Sequence, residues 1–271
     1  KRSVINEYGD IMTEYSIAAV IGMIFKTPLF GATTFFEDKK DSKLLRMIKT
    51  LVYLITTVSG FGVFMLLSKI DNRSTVLADF GSAVVGRNEI IAIIPLMLIG
   101  ILFAMLYGFF GDVLNKAFKP VENYKIVRAV VGGLVLGLIG TALPIVLFSG
   151  EHQLTDLAEG WRSMSIWLLF AAGIIKLFLT KFCLSAGWRG GHIFPVIFAG
   201  VSIGYGTALM FPIDPVTSIA IVTTSLTSGI LKKPIAVVVI LMLLFPVKLI
   251  IPMILAAYIP IYLLKYNKEA V

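Results

Sequence analysis

Residues 183–195 read Cys-Leu-Ser-Ala-Gly-Trp-Arg-Gly-Gly-His-Ile-Phe-Pro, and they open into a charge-free run over 193–213. A polar, glycine-rich turn thus enters a segment near the length, roughly 20 residues, that crosses a hydrocarbon core as a helix. Pro195 suits a first helical turn, because its missing N–H has no intrahelical partner there. The pattern predicts a helix beginning within a residue or two of Ile193. Its first N–H groups carry partial positive charge and lack intrahelical acceptors. Gly190 and Gly191 would supply the close turn and let backbone N–H groups approach a ligand. Such an end binds an anion without a fixed cation, and weak binding of that kind is what conduction requires. The same residues also fit a plain loop between two helices.

The rest of the chain places this turn in a membrane. Of its 271 residues, 58% are hydrophobic and only 15% charged, with a mean hydropathy of +0.92. A water-soluble domain of this size could not hide so much apolar surface. Residues 50–68, 90–111, 129–150, 193–213 and 249–264 carry no charge, and each is near spanning length. The first residue is Lys1 and no signal-peptide pattern follows, so the chain reads as a fragment lacking upstream residues. The single cysteine, Cys183, rules out an internal disulfide and a cysteine metal cluster. Its neighbours are apolar, which predicts a buried, inert thiol.

The net charge of +8 reads as orientation in a membrane and not as nucleic-acid binding. Basic clusters fall in alternate loops: one over 39–49, one of Lys116, Lys119, Lys125 and Arg128, then Lys176, Lys181 and Arg189. Lys232 with Lys233, and Lys265 with Lys268, complete the series, while 151–159 is acidic and 211–215 holds only Asp214. Under the positive-inside rule the basic loops face the cytoplasm and the loops near Asp79, Glu151 and Asp214 face outside.

Seven prolines (Pro195, Pro212, Pro215, Pro234, Pro246, Pro252 and Pro260) interrupt residues 190–264. Proline opens a helix well and interrupts one badly, so this region reads as short, tilted or half-spanning helices. Half-helices at membrane depth must be buried in protein or line a cavity, which favours a transporter or channel. Residues 24–29 and 230–235 are alike, each following small residues and preceding an apolar run. That points to two repeats, with chance similarity in apolar sequence as the alternative.

Gly190, Gly191, His192, Ile193, Phe194 and Pro195 resemble the GGxFxP element of the CLC chloride channels and transporters, with Gly200 and Gly204 following at the family's spacing. Residues 25–31 resemble the family's F-N-A-P-L-A-G, and Glu37 and Asp38 fall on its Glu-Glu pair. Residues 100–116, with Gly111 and Asn115-Lys116, and residues 250–254 match in order. The resemblance implies an all-α polytopic membrane fold with tilted and broken helices, built from two inverted repeats. Residues 1–70 would end the first repeat, which is mostly missing, and 88–271 would form the second. It implies a homodimer in a bacterial plasma membrane, and backbone anion binding at 190–195. An acid at the Asp38 position marks proton-coupled exchangers in the family, whereas Glu37 and Asp38 could equally be solvated surface acids. A pore tyrosine would be Tyr262 or Tyr266.

The departures are His192 for an apolar residue, Ile193 for Phe, Phe194 for a small residue, and Trp188-Arg189 for a small residue and proline. His192 reads equally as a part of the anion site and as a structural or lumen-facing histidine, and His152 reads as solvated. Arg189 reads as an attractor of anions at the inner mouth or as a membrane anchor. No His-Glu-x-x-His and no G-x-x-x-x-G-K-[ST] occurs. The expectation is therefore a transporter of chloride or a similar small anion, not an enzyme, with no metal or cofactor. Proton-coupled exchange comes first, a passive channel second, and a non-transporting membrane scaffold or receptor subunit is the alternative of another class.

Overall fold

The computed structural model describes residues 43–71, 78 and 80–269. Glu37, Asp38, the 25–31 motif and the first member of the suggested repeat lie outside them. The chain divides into two compact units, Lys1–Leu77 with Ile235–Leu243, and Ala78–Pro234 with Leu244–Val271. Among the described residues every regular element is helical: α1 (Lys43–Asp71), α2 (Arg87–Phe118), α3 (Lys125–Ala142), α4 (Glu151–Gly160), α5 (Ile166–Ser185), α6 (Ile193–Met210), α7 (Pro215–Leu231), α8 (Pro234–Leu241) and α9 (Ile250–Glu269). Within this set, α2, α3, α5, α6 and the segment Val247–Leu264 are long and apolar enough to cross a membrane. The protein is all-α and polytopic.

The proline pattern sets several of these boundaries. Pro195 lies in the first turn of α6, Pro215 opens α7 and Pro234 opens α8. Asp214 caps α7, its carboxylate accepting from the Thr217 N–H at 2.8 Å, a strong N-cap arrangement. With 8 residues, α8 is about 12 Å long and cannot cross a core of about 30 Å. It is one of the short, proline-opened helices that the sequence pattern predicts.

The larger unit is built around α6 and α7. Helix α6 packs between α5 and α7, and α7 also touches α2 and α9. Most of α6 is buried, whereas α3 is largely exposed. Helix α7 is buried along nearly its whole length and carries a hydroxyl ladder that the sequence reading did not single out. Ser218 donates to the Gly204 carbonyl at 2.8 Å, Ser225 to that of Met97 at 2.8 Å and Ser228 to that of Ala257 at 2.5 Å. Without water, interhelical hydroxyl bonds and close backbone approach replace much of the hydrophobic drive. The outward faces are apolar: Ile90, Ile94, Leu98 and Leu102 on α2 and Ile126, Leu134 and Leu138 on α3 are exposed. Such surface is unsuited to water and fits cover by lipid or by other protein.

The contacts also give directions. Gly100 of α2 abuts Ser225 and Ala104 abuts Gly229, so α2 and α7 run parallel. Gly200 meets Thr223 and Gly204 meets Ile219, so α6 and α7 are antiparallel. The C-terminal ends of α2 and α7, with Lys116, Lys119, Lys232 and Lys233, therefore lie at the same end as the start of α6. At the opposite end Glu89 accepts from the Asp214 N–H at 3.3 Å.

Several charged segments differ from their reading as loops. Lys43, Arg46 and Lys49 belong to α1, Lys116 to α2, and Lys125 and Arg128 to α3. The acidic stretch is the helix α4, whose Leu154 and Leu157 are buried, because apolar side chains there hold it against the protein. Lys176 and Lys181 lie inside α5, not in a loop. The apolar run 129–150 is not one span: α3 ends at Ala142 and a 3-10 turn, Pro144–Val146, follows.

Candidate anion site

The turn between α5 and α6 is made differently from the sequence reading. Gly187 has φ +91, in the left-handed region, while Gly190 and Gly191 do not. The Trp188 N–H donates to the Cys183 carbonyl at 3.0 Å and the Gly187 N–H to that of Leu184 at 3.1 Å. These two bonds form a Schellman motif, which ends a helix on a left-handed glycine. The close turn thus belongs to Gly187. A Cβ on Gly190 or Gly191 would meet nothing within 4 Å, so those two glycines leave space instead of bending the chain.

Trp188 and Arg128 fasten the turn to α3. The Trp188 indole N–H donates to the Ala129 carbonyl at 3.2 Å. The ring lies where Gly132 leaves room, since a Cβ there would come within 2.9 Å of Trp188 Nε1. The Arg128 guanidinium donates to the Ser185 carbonyl in the last turn of α5, a favoured place for a cation. It also stands 5.7 Å from the centroid of the Phe118 ring. Trp188 is thus an anchor, not merely a departure from the family pattern.

Helix α6 starts at Ile193, with His192 at the N-cap and no side-chain cap. The first intrahelical bond runs from the Val196 N–H to the His192 carbonyl at 3.1 Å, and Pro195 has no N–H to give. Among the described residues no acceptor bonds the Ile193 N–H. Beside this end lies a cavity of about 410 Å³. Gly190, Gly191 and Pro195 line it together with Lys176, Thr180 and Arg189, while His192, Ile193 and Phe194 are half-buried next to it. Cys183 also lines the cavity and is only partly buried, which corrects the reading of a buried thiol. Tyr262 lies on α9 and is 72% exposed, away from the cavity lining, and Tyr266 follows on the same helix.

The feature missed in the sequence is Lys176. It is 1% exposed, and its ammonium donates to the carbonyls of Val146, Leu147 and Phe148 at 2.9, 3.0 and 2.8 Å. It also lies 5.1 Å from the centroid of the Phe198 ring on α6. A buried cation without partners is prohibitively expensive, and here all three of its N–H donors are used. The carbonyls come from a segment with two left-handed residues, Phe148 at φ 55 and Gly150 at φ 96. For a non-glycine residue such a conformation costs about 1–3 kcal/mol and persists only when its surroundings enforce it. Lys181, the other lysine of α5, places its Nζ 4.4 Å from the centroid of the Tyr107 ring.

The comparison with known families fits this geometry: the family described as Voltage gated chloride channel matches residues 4–265. The chain belongs to that family. A protein named "Putative ion-transport protein YfeO" from Escherichia coli O7:K1 is 25% identical over 188 residues, 69% of this chain and 44% of the relative. Proteins of the same name from Escherichia fergusonii and Shigella boydii serotype 18 are 25% and 24% identical over the same share. The chain thus matches less than half the length of these curated relatives. Family membership and the apolar helices together make it part of an integral, multi-pass membrane protein.

Proposed function

We propose that this chain belongs to a transporter moving chloride or a similar small anion across a membrane, with the anion passing the cavity at the start of α6. One observation carries the reading. A helix N-terminus whose Ile193 N–H has no acceptor among the described residues adjoins a cavity of about 410 Å³ kept open by Gly190 and Gly191. Backbone dipoles hold an anion there, and weak binding of this kind permits release. Arg189 and Lys176 at the same cavity add positive potential. In this reading the protein is a homodimer in a bacterial plasma membrane. The Escherichia and Shigella relatives support the bacterial membrane, and the homodimer is what the family resemblance implies.

Proton-coupled exchange is the favoured mode, because Asp38 occupies the inner acid position of the family motif, where a carboxylate at a protein–water boundary can load protons. The test uses the complete protein in liposomes, with chloride and pH electrodes read together. Chloride flux with proton movement in the opposite direction is the expected result. In Asp38→Ala proton movement falls more than chloride movement, and Glu37→Ala has the smaller effect. Chloride flux with no proton movement makes the protein a passive channel. No anion flux from an intact, folded protein returns the chain to the class of membrane scaffolds.

A further inference from the structure

We propose that Lys176 is a positioning residue that clasps the 146–150 segment as one wall of the cavity, and that the clasp sets which anions the cavity admits. The proposal rests on the cavity being the anion path. Three observations lead to it. First, the ammonium of Lys176 uses its three donors on three successive carbonyls, at 2.8 to 3.0 Å. An anion would have to displace one of them to touch it, so the lysine is better suited to hold the wall than to bind the ion.

Second, Val146 is buried and the Val146 and Leu147 N–H groups bond the Leu143 and Pro144 carbonyls, but the following residues of the segment are weakly enforced. Phe148 is left-handed and 82% exposed, so its side chain contributes little packing to enforce that conformation. Gly150 is left-handed as well, and a Cβ there would stand 3.0 Å from Phe198 Cβ and 3.5 Å from Lys176 Cε. Third, the clasp and the anion turn share one space. Val146, Leu147, Phe148 and Ser149 line the same cavity as Gly190 and Gly191. Moving the segment changes the width of the cavity without touching the start of α6.

The test reads the wall and the transport separately, in the complete protein reconstituted in liposomes. Cys183 lines this cavity, so its alkylation by a small maleimide, followed on its own peptide by mass spectrometry, reports the position of the wall. Chloride flux relative to that of the larger thiocyanate reports admission. Lys176→Met removes the clasp. Gly150→Ala moves the same segment independently, keeping the test open if Lys176→Met fails to fold. Leu138→Ala on the exposed face of α3, outside the cavity lining, is the control.

In Lys176→Met, alkylation of Cys183 rises about fivefold or more, since losing even one ordinary hydrogen bond of the three is worth that factor in a two-state equilibrium, and in Gly150→Ala it rises in the same direction through strained backbone and the contact with Phe198. The flux ratio shifts toward thiocyanate in the same two variants. Leu138→Ala stays near the parent. Unchanged alkylation in Lys176→Met overturns the clasp. Raised alkylation with an unchanged flux ratio overturns its control of selectivity. A parent that moves no anion, with Cys183 responding as described, sinks the transport reading while upholding the clasp.

Discussion

The Cβ that Gly200 lacks would lie 2.7 Å from the Cα of Thr223. Gly204, one helical turn on, is as close to Ile219, with the corresponding distance 2.6 Å. The pair forms a small-xxx-small stripe that brings α6 and α7 to backbone contact. Backbone cannot yield as a flexible side chain can. Gly200→Leu is therefore expected to separate the helices and destabilise the protein by about 1–3 kcal/mol or more, the range for overpacking a filled core. Thermal unfolding in detergent measures it. Gly108→Leu is the comparison, because a Cβ at that position meets nothing within 4 Å. Equal melting temperatures for the two variants would show that the close contact does not matter.

The turn ahead of α6 supports a second contrast. Gly187 holds φ +91, whereas Gly191 has ordinary backbone and open space beside it. Gly187→Ala is expected to destabilise by about 1 kcal/mol or more through its left-handed backbone, and Gly191→Ala to be nearly neutral for stability. Trp188→Phe, which loses the bond to the Ala129 carbonyl, should cost about 1 kcal/mol. Denaturation in detergent of the three variants ranks them. If Gly191→Ala is the most damaging, the turn is built on the wrong glycine here.

These positions also separate what could be read in the sequence from what could not. Pro195, Pro215 and Pro234 mark helix starts because proline's missing N–H acts locally, and the structure has helices beginning at or just before each. The turn glycine was misplaced because the GG pair at 190–191 looks like a bend, while left-handed backbone at Gly187 depends on how α5 ends. Lys176 was unreadable for a different reason. A cation in an apolar stretch looks like a loop boundary until its partners are known, and those carbonyls lie about 30 residues away. The α7 hydroxyls were passed over likewise: serine and threonine signal nothing locally, and the carbonyls of Met97 and Ala257 come from other helices.

The parallel run of α2 and α7 puts the Lys119 and Lys232 ends together, and both residues are exposed. Basic residues gathered at one end are expected on the cytoplasmic side. With the native cysteine blocked or replaced, Lys119→Cys and Lys232→Cys should react with an impermeant thiol reagent only after cells are opened. Glu159→Cys, exposed near the end of α4 beside Trp161, which stacks on Tyr205 toward the far end of α6, should react in sealed cells. Labelling of Lys119→Cys from outside in sealed cells would reverse the assignment, and opposite results for Lys119 and Lys232 would contradict the helix directions themselves.

The anion site makes the sharpest demand on chemistry. If the ion is held by backbone dipoles at the start of α6, the side chain of Ile193 is incidental, and Ile193→Ala should leave anion affinity within about threefold, a change below 1 kcal/mol. Gly191→Val acts on the space instead. The position is exposed to the cavity and has nothing within 4 Å of a Cβ, so the fold tolerates the side chain. The branched methyls then occupy volume the ion needs and stiffen the backbone of the turn. Affinity is expected to fall about tenfold or more, which is about 1.4 kcal/mol, with little change in melting temperature. Calorimetric titration of chloride into the purified complete protein gives the affinity, and thermal unfolding gives the stability. The two readouts together carry the argument, because a variant that merely damages the fold moves both. Parent-like chloride binding by Gly191→Val would mean that the ion sits elsewhere. A large loss in Ile193→Ala would mean that a side chain, not the helix end, holds it.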